Sequence, residues 1–377
     1  MLTGQELIAQ FPAVWLRDNC SCGECRDPGT GQKLFGIVDL PEDLAVAGVW
    51  EDAGTVTVEF APDGHRSAFG RTQLAELRLD GAVRDLRAEN TKTLWRAADL
   101  IGHLPEADWT AYLTDKAVLA RCLAAVLRFG FVILRSVPRE PGTVLRVAET
   151  FGYVRETNYS RLFDVEVKTN PNNLAFTRLP ITPHTDNPYR DPVPTLQLLH
   201  CLTNTAEGGE SGLVDGFQAA ALLRQRSPID FETLVRTAVP FAFRDAESEL
   251  RAERPLIEID GRGQIRGVRF SNRHVQPLRL LTSEVGEFYS AYRRFAELVY
   301  DPELLLTFRL DPGDCLVFDN TRVLHARTAF DTVGSRHLQD CYAGLDGLES
   351  TLAVSSRLLA ARQPGVDIVD DWHQVGD

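Results

Sequence analysis

Beyond residue 118 the apolar positions alternate between two periods, and each period predicts an element. Leu119, Leu123, Val126 and Leu127 recur at helical spacing. Gly130-Phe131-Val132-Ile133-Leu134 follows at once and reads as a buried strand. The spacing predicts another helix over 145–151, an irregular aromatic-bearing stretch over 153–176, and a strongly apolar strand over 196–202. Gly208-Gly209-Glu210-Ser211-Gly212 predicts a turn, Leu213-Val214 a strand, and 219–223 a helix. Two alternating runs across 255–270 flank Asp260-Gly261-Arg262-Gly263, a hairpin signal. Helical spacing returns over 288–299; strands then flank the turn Asp311-Pro312-Gly313-Asp314. Strands dominate 190–345 with helices beside them. The expected fold is mainly β with flanking helices, a double-stranded β-helix or jelly roll.

The first 90 residues read as a separate β-rich module, with 91–377 the larger domain. Gly48-Val49-Trp50 and the alternating 55–60 are short strands, with Pro62-Asp63-Gly64 turning behind them. Cys20, Cys22 and Cys25 stand close enough to hold three corners of a tetrahedral zinc, with His65 the natural fourth; the alternative is three free thiols. A structural metal would compensate for a small core.

Composition narrows the function classes. With 44% hydrophobic and 25% charged residues the chain is ordinary globular material. A net charge of −13 argues against nucleic acid or an anionic membrane surface as partner, and no apolar run is long enough to span a bilayer. The N-terminus shows no secretory pattern and the remaining cysteines are scattered, so reduced thiols in the cytoplasm are expected.

The chemistry starts at Pro183-His184-Thr185-Asp186. On a strand, His184 and Asp186 would share a face. His325, past a buried strand and the turn at Asp319-Asn320, supplies the third member of a 2-His-1-carboxylate triad, which leaves positions open on iron(II). Arg336 follows, and its forked guanidinium suits bidentate capture of a co-substrate carboxylate. His200, inside an apolar run, reads as a core residue, and His337 as facing away from Arg336.

As a set, these stretches resemble the iron(II)- and 2-oxoglutarate-dependent dioxygenases of the taurine dioxygenase superfamily, in the γ-butyrobetaine and trimethyllysine hydroxylase branch. Further matches are Val14-Trp15-Leu16-Arg17-Asp18-Asn19-Cys20, Gln197-Leu198-Leu199-His200-Cys201, Leu213-Val214-Asp215-Gly216-Phe217 and Ser335-Arg336-His337-Leu338. The resemblance implies iron on His184, Asp186 and His325, 2-oxoglutarate on Arg336 and Asn173, and O2 as co-substrate. It also supports zinc on Cys20, Cys22, Cys25 and His65, and a homodimer.

In the γ-butyrobetaine hydroxylases the positions matching Tyr159, Phe163, Phe176 and Tyr342 cage a trimethylammonium group, and all four are aromatic here. Tyr189 is an additional candidate wall. For the substrate's anionic end the chain offers Asn187, Asn272 and Arg273. Two amides and a guanidinium suit a tetrahedral dianion, and the combination resembles 2-(trimethylamino)ethylphosphonate hydroxylase. The expected substrate is therefore that phosphonate, hydroxylated at the carbon bearing phosphorus. The alternative is γ-butyrobetaine, giving L-carnitine; a third reading is a non-catalytic, betaine-sensing cupin-like protein.

Overall fold

The computed structural model describes residues 2–76, 92–169 and 174–362. The chain divides into two compact units, Met1–Glu89 and Asn90–Asp377.

In the first unit, helix Gly4–Ile8 is closed by a capping box between Thr3 and Glu6. Three antiparallel strands follow: β1 (Ala45–Asp52), β2 (Thr55–Ala61) and β3 (Arg66–Gly70). The alternation along β2 buries Val56, Val58 and Phe60 against Leu7, Ile8, Phe11 and Leu16.

The second unit adds β4 (Glu106–Asp108), β5 (Phe131–Arg135), β6 (Val154–Arg155), β7 (Phe163–Val165), β8 (Ile181–His184), β9 (Leu196–Asn204) and β10 (Ser211–Asp215). Two hairpins come next, β11 (Val239–Arg244) with β12 (Glu249–Arg254), and β13 (Ile257–Ile259) with β14 (Ile265–Val268). The chain then forms β15 (Leu306–Phe308), β16 (Cys315–Asp319), β17 (Val323–Arg327) and β18 (Arg336–Ala343). One sheet runs β4-β5-β16-β9-β18-β6, with β7 also on β18; a second runs β15-β10-β17-β8. Side chains from both sheets line one cavity, the arrangement of a jelly roll.

The helices buttress this frame. Helix Lys116–Phe129 stops at Gly130, whose φ of 88° makes the left-handed cap, and shares a core with β5, β9 and β16. Helix Thr282–Val299 places Phe288, Ala291, Tyr292, Phe295 and Leu298 on one stripe, packed with helices Gly216–Arg226 and Pro228–Arg236. The Arg322 guanidinium, fully buried, forks onto both oxygens of Asp215, at 3.1 and 2.8 Å, and donates to the carbonyls of Arg128 and Thr93. It ties the junction of β16 and β17 to the end of β10. Among the described residues no helix is long and apolar enough to cross a membrane.

Candidate active site

His184 ends β8, and its partner across the antiparallel ladder to β17 is His325, the two rings 4.1 Å apart. Asp186 does not stand on a strand with His184, as its spacing suggested. β8 stops at His184, and Asp186 lies in the bend beyond it. Asn320 makes that bend. Its Oδ1 accepts from the Asp186 N–H at 2.7 Å, while its Nδ2 donates to the Asp186 and Pro194 carbonyls, each at 3.0 Å. The carboxylate thereby turns back, with Oδ1 3.3 Å from His184 Nε2 and Oδ2 4.0 Å from His325 Nε2.

These three residues fit a single ion. Their ligand atoms lie within 4.8 Å of one another, and neighbouring ligands of an octahedral ion bound at about 2.1 Å sit about 3 Å apart. His184 Nδ1–H donates to the Thr182 carbonyl at 2.9 Å, which leaves Nε2 for a metal. Burial, then His184, pushes the His325 imidazole down to about 3, so it is neutral and ready to ligate. Burial alone would raise the Asp186 carboxyl, but the facing groups His184, His325 and Arg273 hold it well below its usual range. Gln197 Nε2 and the Tyr342 hydroxyl both donate to Asp186 Oδ2, at 2.9 and 3.0 Å. Such support around a ligating carboxylate orients it and tunes its basicity.

Arg336, the first residue of β18, reaches into the same cavity. Its Nε donates to the Gly209 carbonyl at 3.2 Å, and no carboxylate pairs with it among the described residues. Burial lowers its guanidinium to about 10, still charged at neutral pH. Gly209 is required beneath it: φ is +72°, and a Cβ there would come within 3.0 Å of Arg336 Cδ. A keto acid's distal carboxylate is the natural occupant of the free fork. Asn173 lies outside the described residues.

The cavity is lined by Tyr159, Phe163, Phe176, Asn187, Tyr189, Arg273 and Tyr342 together with the triad and Arg336. Tyr159, Phe163 and Tyr342 form a continuous wall, with ring centroids 5.3 and 5.6 Å apart. Tyr189 joins it through a 3.1 Å hydroxyl contact with Tyr159, and Phe243, which the sequence reading missed, stacks behind Tyr189 at 5.1 Å. Phe176 lines the cavity separately, with the Lys168 ammonium 3.9 Å over its ring.

Asn187, which also lines the cavity, is buried, adopts φ +54°, and leaves both amide atoms without a hydrogen-bond partner among the described residues. An asparagine tolerates that left-handed backbone better than most residues. Arg273 forms no ion pair among the described residues. Asn272 is exposed, does not line the cavity, and its Oδ1 accepts from the Tyr292 hydroxyl at 3.1 Å. Successive residues on this loop point different ways, so adjacency to Arg273 did not carry Asn272 inward. His274 does line the cavity, its Nδ1 2.9 Å from Ser271 Oγ. His200 is wholly buried outside the cavity lining, and His337 faces Asp164 at 2.7 Å, away from Arg336.

In the first unit, His65 Nε2 lies 3.2, 3.7 and 3.5 Å from the sulfurs of Cys20, Cys22 and Cys25. A tetrahedral zinc places sulfur and nitrogen ligands about 3.6 Å apart, so these residues could hold one. Burial, then Arg17, pushes the His65 imidazole down, which keeps it neutral for ligation.

Comparison with known proteins agrees with this geometry. The profile of the taurine catabolism dioxygenase TauD, TfdA family matches residues 92–342. This chain belongs to that family. A second profile, γ-butyrobetaine hydroxylase-like, N-terminal, matches residues 4–71. A γ-butyrobetaine dioxygenase from Pseudomonas sp. (strain AK-1) is 38% identical over 355 residues, covering 93% of this chain and 91% of that one. The human γ-butyrobetaine dioxygenase is 31% identical over 357 residues, covering 91% and 90%. A trimethyllysine dioxygenase from Meyerozyma guilliermondii is 30% identical over 379 residues, covering 96% and 93%. As a family dioxygenase, the chain is an enzyme dependent on iron(II) and 2-oxoglutarate, which sets aside the sensor reading. The relatives named here are γ-butyrobetaine and trimethyllysine dioxygenases, which fit the betaine alternative better than the phosphonate.

Proposed function

We propose that this dioxygenase hydroxylates a trimethylammonium zwitterion, with γ-butyrobetaine the best-supported substrate and L-carnitine the product. The observation that carries the reading is the wall of Tyr159, Phe163 and Tyr342 in one cavity with the triad and Arg336. A quaternary ammonium donates no hydrogen bond and is held by ring faces, each worth roughly 0.5–2 kcal/mol. Relatives described as γ-butyrobetaine and trimethyllysine dioxygenases support the same substrate class.

Bound iron(II) with 2-oxoglutarate supplies oxygen activation, coupling decarboxylation of the keto acid to hydroxylation of a C–H bond. His184, Asp186 and His325 hold the metal, and Arg336 grips the keto acid's far carboxylate. The aromatic wall seats the cationic head while Asn187 and Arg273 receive the anionic end. The span between these two anchors selects the carbon presented for reaction.

The phosphonate remains a second reading, because Arg273, which forms no ion pair among the described residues, brings a guanidinium to the cavity where a betaine carboxylate needs fewer donors. Succinate release measured side by side with γ-butyrobetaine, trimethyllysine and 2-(trimethylamino)ethylphosphonate tests both. Turnover of γ-butyrobetaine with the highest kcat/KM is expected. Arg273→Ala separates the anions: a much larger loss on the phosphonate supports the second reading, and equal losses count against it. The relation to this branch also supports a homodimer, which sedimentation of the full chain tests.

A further inference from the structure

Beneath the aromatic wall lies a carboxylate that neither the metal site nor the keto-acid clamp uses. Asp340 stands on β18 between Leu338 and Tyr342, and all three line the cavity. Its register partner on β7 is Phe163, a member of the wall. Asp340 is 2% exposed. Its Oδ2 accepts from Gln197 Nε2 at 2.6 Å, while its Oδ1 is buried with no hydrogen-bond partner. No lysine, arginine or histidine pairs with it among the described residues. The same Gln197 nitrogen donates to Asp186, so a second carboxylate stands close by.

An ionised carboxylate in such a place is unfavourable until a cation joins it. Burial, then Asp186, pushes the Asp340 carboxyl well above its ordinary range, which is how an unpaired buried acid responds. The molecule supplies the rings around a cation and leaves one buried oxygen beside them without a partner.

We infer that Asp340 is the counter-charge for the cationic head of the substrate, so that ring faces and one carboxylate together select a quaternary ammonium over an uncharged group of equal shape. This rests on the trimethylammonium reading above and deepens it. A head that cannot donate a hydrogen bond asks no directional contact of Oδ1, only proximity, and that is what a partnerless oxygen offers. Ring faces alone also bind a neutral tert-butyl group by dispersion; the carboxylate adds a contribution that only charge can draw on.

Asp340→Asn keeps the shape and removes the charge. Two probes read the result in the iron-loaded enzyme: tetramethylammonium against tert-butanol as bare head groups, and γ-butyrobetaine against its isostere with carbon in place of nitrogen. In the parent, tetramethylammonium is expected to bind at least about tenfold more tightly than tert-butanol, and in the variant most of that preference disappears. KM for γ-butyrobetaine rises about tenfold or more, while kcat/KM for the isostere stays level or rises. Equal losses on charged and uncharged probes mean that Asp340 only braces Gln197, and overturn the inference. So does unchanged cation binding in the variant. Equal binding of the two head groups by the parent overturns it even where the variant does not fold. Asp340-dependent cation binding without γ-butyrobetaine turnover would sink the substrate assignment alone and leave this inference standing.

Discussion

The Tyr342 hydroxyl donates to Asp186 Oδ2 at 3.0 Å, so one side chain belongs both to the ring wall and to the metal-ligating carboxylate. Tyr342→Phe separates the two roles. The ring stays, and Asp186 Oδ2 loses one of the two side-chain donors described above. Iron affinity is expected to fall about tenfold, measured by titration of the apo protein, with KM for γ-butyrobetaine changing much less. A rise in KM at unaltered iron affinity would mean that the hydroxyl acts on substrate instead.

Arg336 offers a forked donor that a lysine cannot reproduce. Arg336→Lys is expected to raise the KM for 2-oxoglutarate about 10–100-fold, the loss of a bidentate charged contact, with less effect on the betaine KM. Steady-state kinetics varying each substrate in turn checks the asymmetry.

Stability should depend heavily on Arg322. It is buried without exposure against an equally buried Asp215, and truncating one member strands the other charge. Arg322→Ala is expected to cost about 3–5 kcal/mol in denaturant unfolding. Asp215→Asn combined with Arg322→Met should cost less than Arg322→Ala alone, because no charge is then stranded.

A pH dependence follows from Asp230, in the first turn of helix Pro228–Arg236 and paired with Arg294. Burial would raise its carboxyl, but Ser227 and Arg294 hold it lowered. A carboxyl depressed in the folded state contributes stability above its unfolded value of about 3.9, and that contribution is lost as pH falls through the folded one. Asp230→Asn should therefore cost about 1 kcal/mol at neutral pH, since its partner is largely solvated, with the gap to the parent closing below about pH 4. Thermal melts across pH measure it; a gap independent of pH would assign the loss to helix capping.

Zinc and iron should be separable. Cys22→Ser in the Cys20–Cys22–Cys25–His65 cluster is expected to lower the melting of the N-terminal unit without changing iron content, both followed on one sample by metal analysis and calorimetry. A fully stable zinc-free variant removes the metal from the account of that unit.

How much of this was legible beforehand depended on whether a residue's role follows from spacing. His325 follows the strand β16, whose apolar run is plain, and the jelly roll came from such runs. Asp186 was read onto a strand because spacing cannot show that Asn320, remote in sequence, bends the chain after His184. The β11–β12 hairpin escaped because Pro240 interrupts the alternation of one strand and charges fill the other. Helix Leu345–Arg362 was likewise not anticipated. Asp340 was invisible for a different reason: in Arg336-His337-Leu338-Gln339-Asp340-Cys341-Tyr342 polar and apolar residues do not alternate cleanly, so nothing marks which carboxylate is buried.

The rung that joins His184 to His325 has a consequence for how such proteins diversify. Because the two imidazoles are held in place by neighbouring backbone on a single ladder, the β11–β12 hairpin that lies between them can be lengthened, shortened or exchanged with little disturbance to the metal, provided Asp186, Gln197 and Asn320 keep their places. Hairpins and helices grafted into that interval would alter what enters the cavity while the oxidising centre stays put. An insertion of one residue within either strand would instead turn an imidazole to the wrong side and abolish the reaction outright.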